Sequence, residues 1–169
     1  MTRFNSNAAC CSIPPVQAFY QPQGTFRAYG DFKKVYITGP EKTDKALVCV
    51  FDIFGFWPQT QQGADILAET LNAKVLMPDF FEPHNAFSQD DYPPNTPEKK
   101  VRLQEFFQNV ARVDVAVTNV NKLGLLMKAE GYKHIGLYGF CWVYHKAGKV
   151  AILSGSEKVY DAVASVHPA

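Results

Sequence analysis

Six consecutive apolar residues, Ala46-Leu47-Val48-Cys49-Val50-Phe51, run without polar interruption and without alternation. A strand with one face in water carries a polar residue at every second position, and a strand covered on both faces does not. Burial on both faces belongs to parallel sheets, and a parallel pair needs a long crossover, usually a helix. The rest of the chain supplies such pieces. Lys74-Val75-Leu76-Met77-Pro78 reads as a second parallel strand, ended by its proline. His134 to Tyr138 reads as a third and Tyr160 to Val166 as a further one. Gln59 to Leu71 reads as a helix with Ile66, Leu67 and Leu71 on one side. Thr96-Pro97-Glu98 has a capping threonine and a first-turn proline, and predicts a helix to about Phe107. Residues 111–129 fit two periods. Val113, Val115 and Val117 alternate like a strand, whereas Val113, Val117, Val120 and Met127 share a helical face. Length and the need for a crossover select the helix, which Gly131 ends. Lys146 to Leu153 can also be helical.

Ahead of the apolar run, Phe26 to Tyr29, Gly30-Asp31 and Lys33 to Thr38 read as a β-hairpin. Residues 1–24 hold Pro14, Pro15, Pro22 and Gly24 without sustained periodicity, and read as an irregular lead-in. The order β-β-β-α-β-α-β-α-β is an α/β design, a mostly parallel sheet with flanking helices. With 169 residues, one domain over 25–169 follows the lead-in.

Charge and cysteines narrow the function classes. The net charge is +1, from 17 basic and 16 acidic residues, so there is no basic footprint for nucleic acid and no acidic tail. No apolar run approaches the ~20 residues of a membrane span. The N-terminus is polar and lacks the apolar core of a secretory signal. Cys10, Cys11, Cys49 and Cys141 form neither a disulfide framework nor a zinc pattern. The expectation is a cytoplasmic protein with no nucleic-acid or membrane partner, its oligomeric state open.

In open α/β sheets, ligands bind beyond the carboxyl ends of the strands. Four segments converge there: Asp52 to Trp57, Asp79 to His84, Gly139 to Trp142, and His167-Pro168. Gly139-Phe140-Cys141 reads as a tight turn between a strand and a helix, the layout of a nucleophile elbow with a thiol in place of the serine of G-x-S-x-G. N–H groups after the turn and the helix N-terminus can stabilise a thiolate or an oxyanion. A buried structural cysteine is the alternative. Asp52 either accepts a hydrogen bond from a thiol across the sheet edge or caps its own turn. The N–H groups of Ile53 and Trp142 are the natural pair for an oxyanion hole. A cysteine nucleophile also needs a base. His84 reads as a solvated loop residue and His134 as a surface residue. His145, four residues after Cys141, would share its helical face, an unusual place for a base. His167 is the best candidate for a contact with the site, with a structural hydrogen bond as the alternative.

Several segments together resemble the dienelactone hydrolase family of α/β-hydrolases, in its fungal form. These are Cys10 to Pro15, Tyr36 to Pro40, Asp52 to Phe56, Gln61-Gly63-Ala64-Asp65, Met77 to Phe81, Gly139 to Trp142, and His167-Pro168-Ala169. The resemblance implies hydrolysis of an ester or lactone, a small-molecule substrate and no metal or organic cofactor. It implies Cys141 as nucleophile, Asp52 as the acid that holds the resting thiol, and Ile53 and Trp142 as oxyanion donors. Two departures stand out. The family elbow continues with two glycines, where this chain has Val143 to Ala147 before Gly148. The family's triad aspartate and histidine lie beyond a strand ending in His-Pro-Ala, and no residue here matches them. The expectation is therefore a shortened domain, incomplete at the C-terminus, with impaired hydrolysis. A non-catalytic remnant or ligand-binding domain is the alternative, and redox sensing through Cys141 or Cys10-Cys11 a third reading.

Overall fold

A computed structural model describes residues 19–140 and 158–166. Its strands are β1 (Thr25–Tyr29), β2 (Phe32–Thr38), β3 (Lys45–Val50), β4 (Lys74–Pro78), β5 (His134–Phe140) and β6 (Ala162–Val166). Its helices are α1 (Pro58–Leu71), α2 (Pro97–Asn109) and α3 (Val113–Ala129), with a 3₁₀ turn at Gln89–Asp91. The strands form one sheet in the order β1-β2-β4-β3-β5-β6. β4, β3, β5 and β6 are parallel neighbours, and the β1–β2 hairpin joins β4 in antiparallel fashion. The α/β class with a mostly parallel sheet is thus present, and the apolar run lies at its centre. In β3 the side chains of Ala46, Val48, Cys49 and Val50 are all buried, as two-sided covering requires.

Helix α3 settles the ambiguity of residues 111–129 in favour of the helix. Ala116, Val120, Leu123, Gly124 and Met127 form its buried stripe, while Val115 faces water. Gly124 is a contact point rather than a weak spot. A Cβ there would meet Val159 Cγ1 at 2.5 Å and the Tyr160 ring at 2.9 Å. Helix α2 starts as its sequence predicts, with Thr96 Oγ1 accepting the N–H of Lys99 at 3.3 Å.

Three details differ from the sequence reading. First, the crossover from β4 to β5 holds both helices read there from the sequence, α2 and α3, so the order has one more helix than the string β-β-β-α-β-α-β-α-β. Second, β5 continues to Phe140, so Gly139 and Phe140 belong to the strand and not to a turn. The reason is pairing on both sides: Gly139 pairs with Val50 and Ser165, and Phe140 with Val166. Third, α1 does not bury Ile66 or Leu71, which are 55% and 44% exposed. It buries Gln61, Ala64, Asp65 and Ala68, at i, i+3, i+4 and i+7. Small residues let the helix lie close to the sheet, and a carboxylate faces it because donors wait below. Asp65 accepts the hydroxyls of Tyr36 (2.8 and 2.9 Å) and Tyr20 (2.8 Å) and the N–H of Gln23 (3.0 Å). The Tyr36 hydroxyl in turn accepts the N–H of Gly24 at 2.8 Å. One buried carboxylate thereby ties residues 20–24 to the sheet. Burial alone would raise its pKa, but the Thr38 hydroxyl, the Gln23 N–H and the two phenols hold it below the usual carboxylate value.

The topology points to one edge. The chain leaves β3 toward β4 on one side, then returns across to β5 on the other side. Connections diverge at the carboxyl ends of β3 and β5, which makes a crevice there. Beneath it lies an aromatic layer. Phe51 meets Phe81 at 5.3 Å between ring centroids, Phe81 meets Phe106 at 5.1 Å, and Phe87 meets Phe106 at 5.3 Å. These rings fasten the loops after β3 and β4 to α2.

Candidate functional site

The crevice is built first by the turn that leaves β3. Asp52 Oδ1 accepts the N–H of Phe54 at 2.8 Å, and the Asp52 carbonyl accepts the N–H of Gly55 at 3.2 Å. This is an Asx turn, in which a short carboxylate replaces a backbone acceptor. Gly55 sits at φ +80°, and a Cβ there would stand 3.0 Å from that of Ala86. Glycine is needed on both counts. The Ile53 carbonyl accepts the N–H of Phe87 at 2.8 Å, which docks the next loop onto the turn. Trp57 Nε1 closes the turn from the far side by donating to the Phe54 carbonyl at 3.0 Å. Of the N–H groups of Ile53, Phe54 and Gly55, two are therefore bound. The Ile53 N–H donates to none of the described residues.

Aromatic packing holds this turn in place. Phe56 meets Phe51 and Phe26 edge-on, each at 4.9 Å, and Phe54 meets Tyr92 at 5.5 Å. Lys34 Nζ lies 4.9 Å from the centre of the Phe56 ring and 5.0 Å from that of Phe26. The charge over two ring faces is a favourable cation–π arrangement.

The titratable groups here are shaped by burial. Asp52 has its pKa raised by desolvation, against the lowering effect of the Phe54 and Gly55 N–H groups. Asp79, which leaves β4 as Asp52 leaves β3, is also raised by burial. It makes the same turn, accepting the N–H of Phe81 at 3.1 Å. Cys49 is buried in the sheet, and desolvation pushes its thiol up to about 12, with Tyr138 opposing and Asp52 adding to the shift. Tyr138 pairs with Cys49 across the ladder and is also raised, first by burial and then by the Cys49 charge. Among the described residues its hydroxyl has no hydrogen-bond partner.

The sequence-predicted residues fall into two groups. Asp52 and Ile53 lie together at the edge, and Asp52 is a turn carboxylate. Cys141, Trp142, His145 and His167 lie outside the described residues, as do Val143 to Ala147 and the helix expected over 146–153. His84 is exposed in the loop after β4. It lines a groove of about 430 Å³ with Lys33, Glu82 and Arg112, and no residue of 52–57 borders that groove. His134 is exposed at the start of β5, the opposite end from the crevice. Sequence reasoning missed the Phe87 clamp on Ile53 and the packing of Tyr92 on Phe54. It also missed the carboxylate of Asp65. One signal was available: Asp-x-Phe follows two consecutive parallel strands, as Asp52-Ile53-Phe54 and Asp79-Phe80-Phe81. Among the described residues no group of three or more His, Cys, Asp or Glu is placed to hold a metal ion. Nor is any described helix long and apolar enough to cross a membrane.

No family model matches the chain. It is similar to two uncharacterised AIM2 family proteins of Schizosaccharomyces pombe. One is 29% identical over 171 residues, covering 95% of this chain and 65% of that protein. The other is 25% identical over 169 residues, covering 94% and 64%. The chain thus spans just under two thirds of the length of these relatives. Among solved structures it is similar to a dienelactone hydrolase from Anabaena variabilis, with a TM-score of 0.53 and 14% identity over 87% of this chain and 62% of that one. At that identity the likeness concerns the fold, which is of the α/β-hydrolase kind.

Proposed function

We propose that this chain acts on ester or lactone bonds of small molecules through a thiol at the Cys141 position. The observation that carries the reading is the turn after β3, whose Ile53 N–H donates to none of the described residues, placed beside the end of β5. Val50 and Gly139 are the last pair between the two strands. Asp52 follows Val50 by two residues, and Cys141 follows Gly139 by two. The likeness of fold to a dienelactone hydrolase and the family segments in the sequence support the same reading.

The chemistry has two stages. A Cys141 thiolate attacks the carbonyl carbon, and the oxygen takes the negative charge in a tetrahedral intermediate. The N–H groups of Ile53 and Trp142 receive that charge, and the alkoxide leaves as the carbonyl reforms on a thioester, taking a proton from water to become the alcohol. Water then attacks the thioester, releasing the acid and the thiolate. The second stage also needs a base, and on this reading it is the slower of the two. The rings packed around the Asp52 turn, Phe54, Phe56 and Tyr92, suit an apolar acyl or aryl group. No metal or organic cofactor has a part in this chemistry.

The test is lactone hydrolysis by the purified protein, with dihydrocoumarin as substrate. Slow ring opening, abolished in Cys141→Ala and kept in Cys49→Ala, is the expected result. Hydrolysis that is unchanged in Cys141→Ala contradicts the reading.

A further inference from the structure

We infer that β6 is an interface strand, along which a second copy of this chain pairs antiparallel about a two-fold axis at Ala164, joining two six-stranded sheets into one.

β6, Ala162-Val163-Ala164-Ser165-Val166, has the composition of an interior strand and the place of an edge strand. A strand with an open edge ordinarily carries a charge, a proline or a bulge that discourages pairing. β6 has no charge and no proline, and its ladder to β5 runs without a register shift from Gly136–Ala162 to Phe140–Val166. Apolar side chains stand on both of its faces. Val163 shares one face with its partner Leu137, and Ala164 shares the other with Tyr138. Leu137 and Tyr138 are 1% and 7% exposed, whereas Val163 and Val166 are 38% and 45% exposed. Among the described residues no strand pairs with the outer side of β6.

The two edges of the sheet select the occupant. A strand that pairs with β6 must bring no charge into the contact, and β6 itself is such a strand. An antiparallel register about Ala164 sets Ala164 opposite Ala164, Val163 opposite Ser165 and Ala162 opposite Val166, with a small residue in every pair. β1 is a poor alternative. It carries Arg27 and a register shift between Arg27 and Tyr29. Pairing β1 with β6 would also leave one open edge at each end and grow without closing, whereas β6 against β6 closes as a dimer. Five residues span about 17 Å, too short for the ~1,200 Å² of a stable interface, so the dimer is reversible, with a Kd above about 1 μM.

The experiment follows association and then register. Sedimentation equilibrium of the wild type is expected to show monomer and dimer and no larger species. Val163→Lys is expected to raise the dissociation constant at least about tenfold, with the thermal midpoint of the dilute protein unchanged. Register is read by cross-linking. In a background of Cys10→Ser, Cys11→Ser and Cys141→Ser, which leaves the buried Cys49, Ala164→Cys is oxidised with copper phenanthroline. Two cysteines at the axis lie within disulfide reach, because antiparallel partners stand about 4.5–5.5 Å apart between Cα atoms. A covalent dimer from Ala164→Cys, and none from Arg27→Cys, is the expected result. Four results overturn the inference: a wild type that stays monomeric at its highest soluble concentration, a dimer that Val163→Lys leaves intact, a dimer whose Ala164→Cys form does not cross-link, and a disulfide between the Arg27→Cys and Ala164→Cys chains.

Discussion

Cys49 and Asp65 show how far a buried side chain departs from what its type suggests. Cys49 is fully enclosed between β4 and β5, and its thiol is pushed up to about 12 by desolvation. At about pH 8 it holds almost no thiolate, the form that reacts. Native protein treated with iodoacetamide should leave Cys49 unmodified, whereas protein in urea should lose that protection; peptide mass analysis reads the difference. Because its folded pKa lies above the unfolded value, its contribution to stability is full below about pH 8.5 and is lost as pH rises toward the folded value. Asp65 has the opposite sign. Its folded pKa is lowered, so its contribution is present above about pH 4 and fades as pH falls through the folded value. Asp65→Ala leaves the Tyr20 and Tyr36 hydroxyls and the Gln23 N–H without their acceptor. A loss of about 3 kcal/mol is expected at neutral pH from urea titration, with a smaller gap from the wild type in acid. Neither effect could be read from sequence. Apolar neighbours place Cys49 in a core strand, but for Asp65 the sequence offers only its place in the segment Gln61-Gly63-Ala64-Asp65. Its partners, Tyr20 and Tyr36, lie far away in the chain.

The strands and helices were legible where local pattern and packing agree. The apolar run at 46–51 announced β3, and the Thr96-Pro97 start announced α2, because both signals act within a few residues. The valines of α3 needed the crossover argument, since they satisfy two periods at once. The end of β5 was misread because Gly139 looks like a turn residue. Pairing with β3 and β6 carries the strand past it, and that pairing is not local. Glycine has a different meaning again within α3. Gly124→Ala should favour the isolated helix by about 1 kcal/mol. Here the added methyl group meets Val159 and Tyr160, so net destabilisation of about 1–3 kcal/mol is expected, measured by the shift in thermal midpoint. A variant as stable as the wild type would show that the segment at 159–160 gives way.

Among the described residues the sheet has two contrasting edges. β1 carries Arg27 and a register shift between Arg27 and Tyr29, features that discourage pairing with another chain. β6, Ala162-Val163-Ala164-Ser165-Val166, carries no charge and no proline, and all five residues are exposed. Association that grows with concentration is expected, and Val163→Lys should reduce it in sedimentation measurements without lowering stability. Between these edges lies the crevice where β3 and β5 end. The sequence located it through convergence of strand ends, since topology follows from the order of elements. What it could not supply was the direction of each N–H in the turn after Asp52, which depends on Phe87, Ala86 and Tyr92 from a separate loop. The most direct test of the site is therefore chemical. The protein is incubated with p-nitrophenyl acetate at neutral pH, digested, and the peptide carrying the acetyl thioester is identified by mass. Acetylation at Cys141, with none at the buried Cys49, is the predicted result. Acetyl groups spread among Cys10, Cys11 and surface lysines, with none favoured at Cys141, would contradict it.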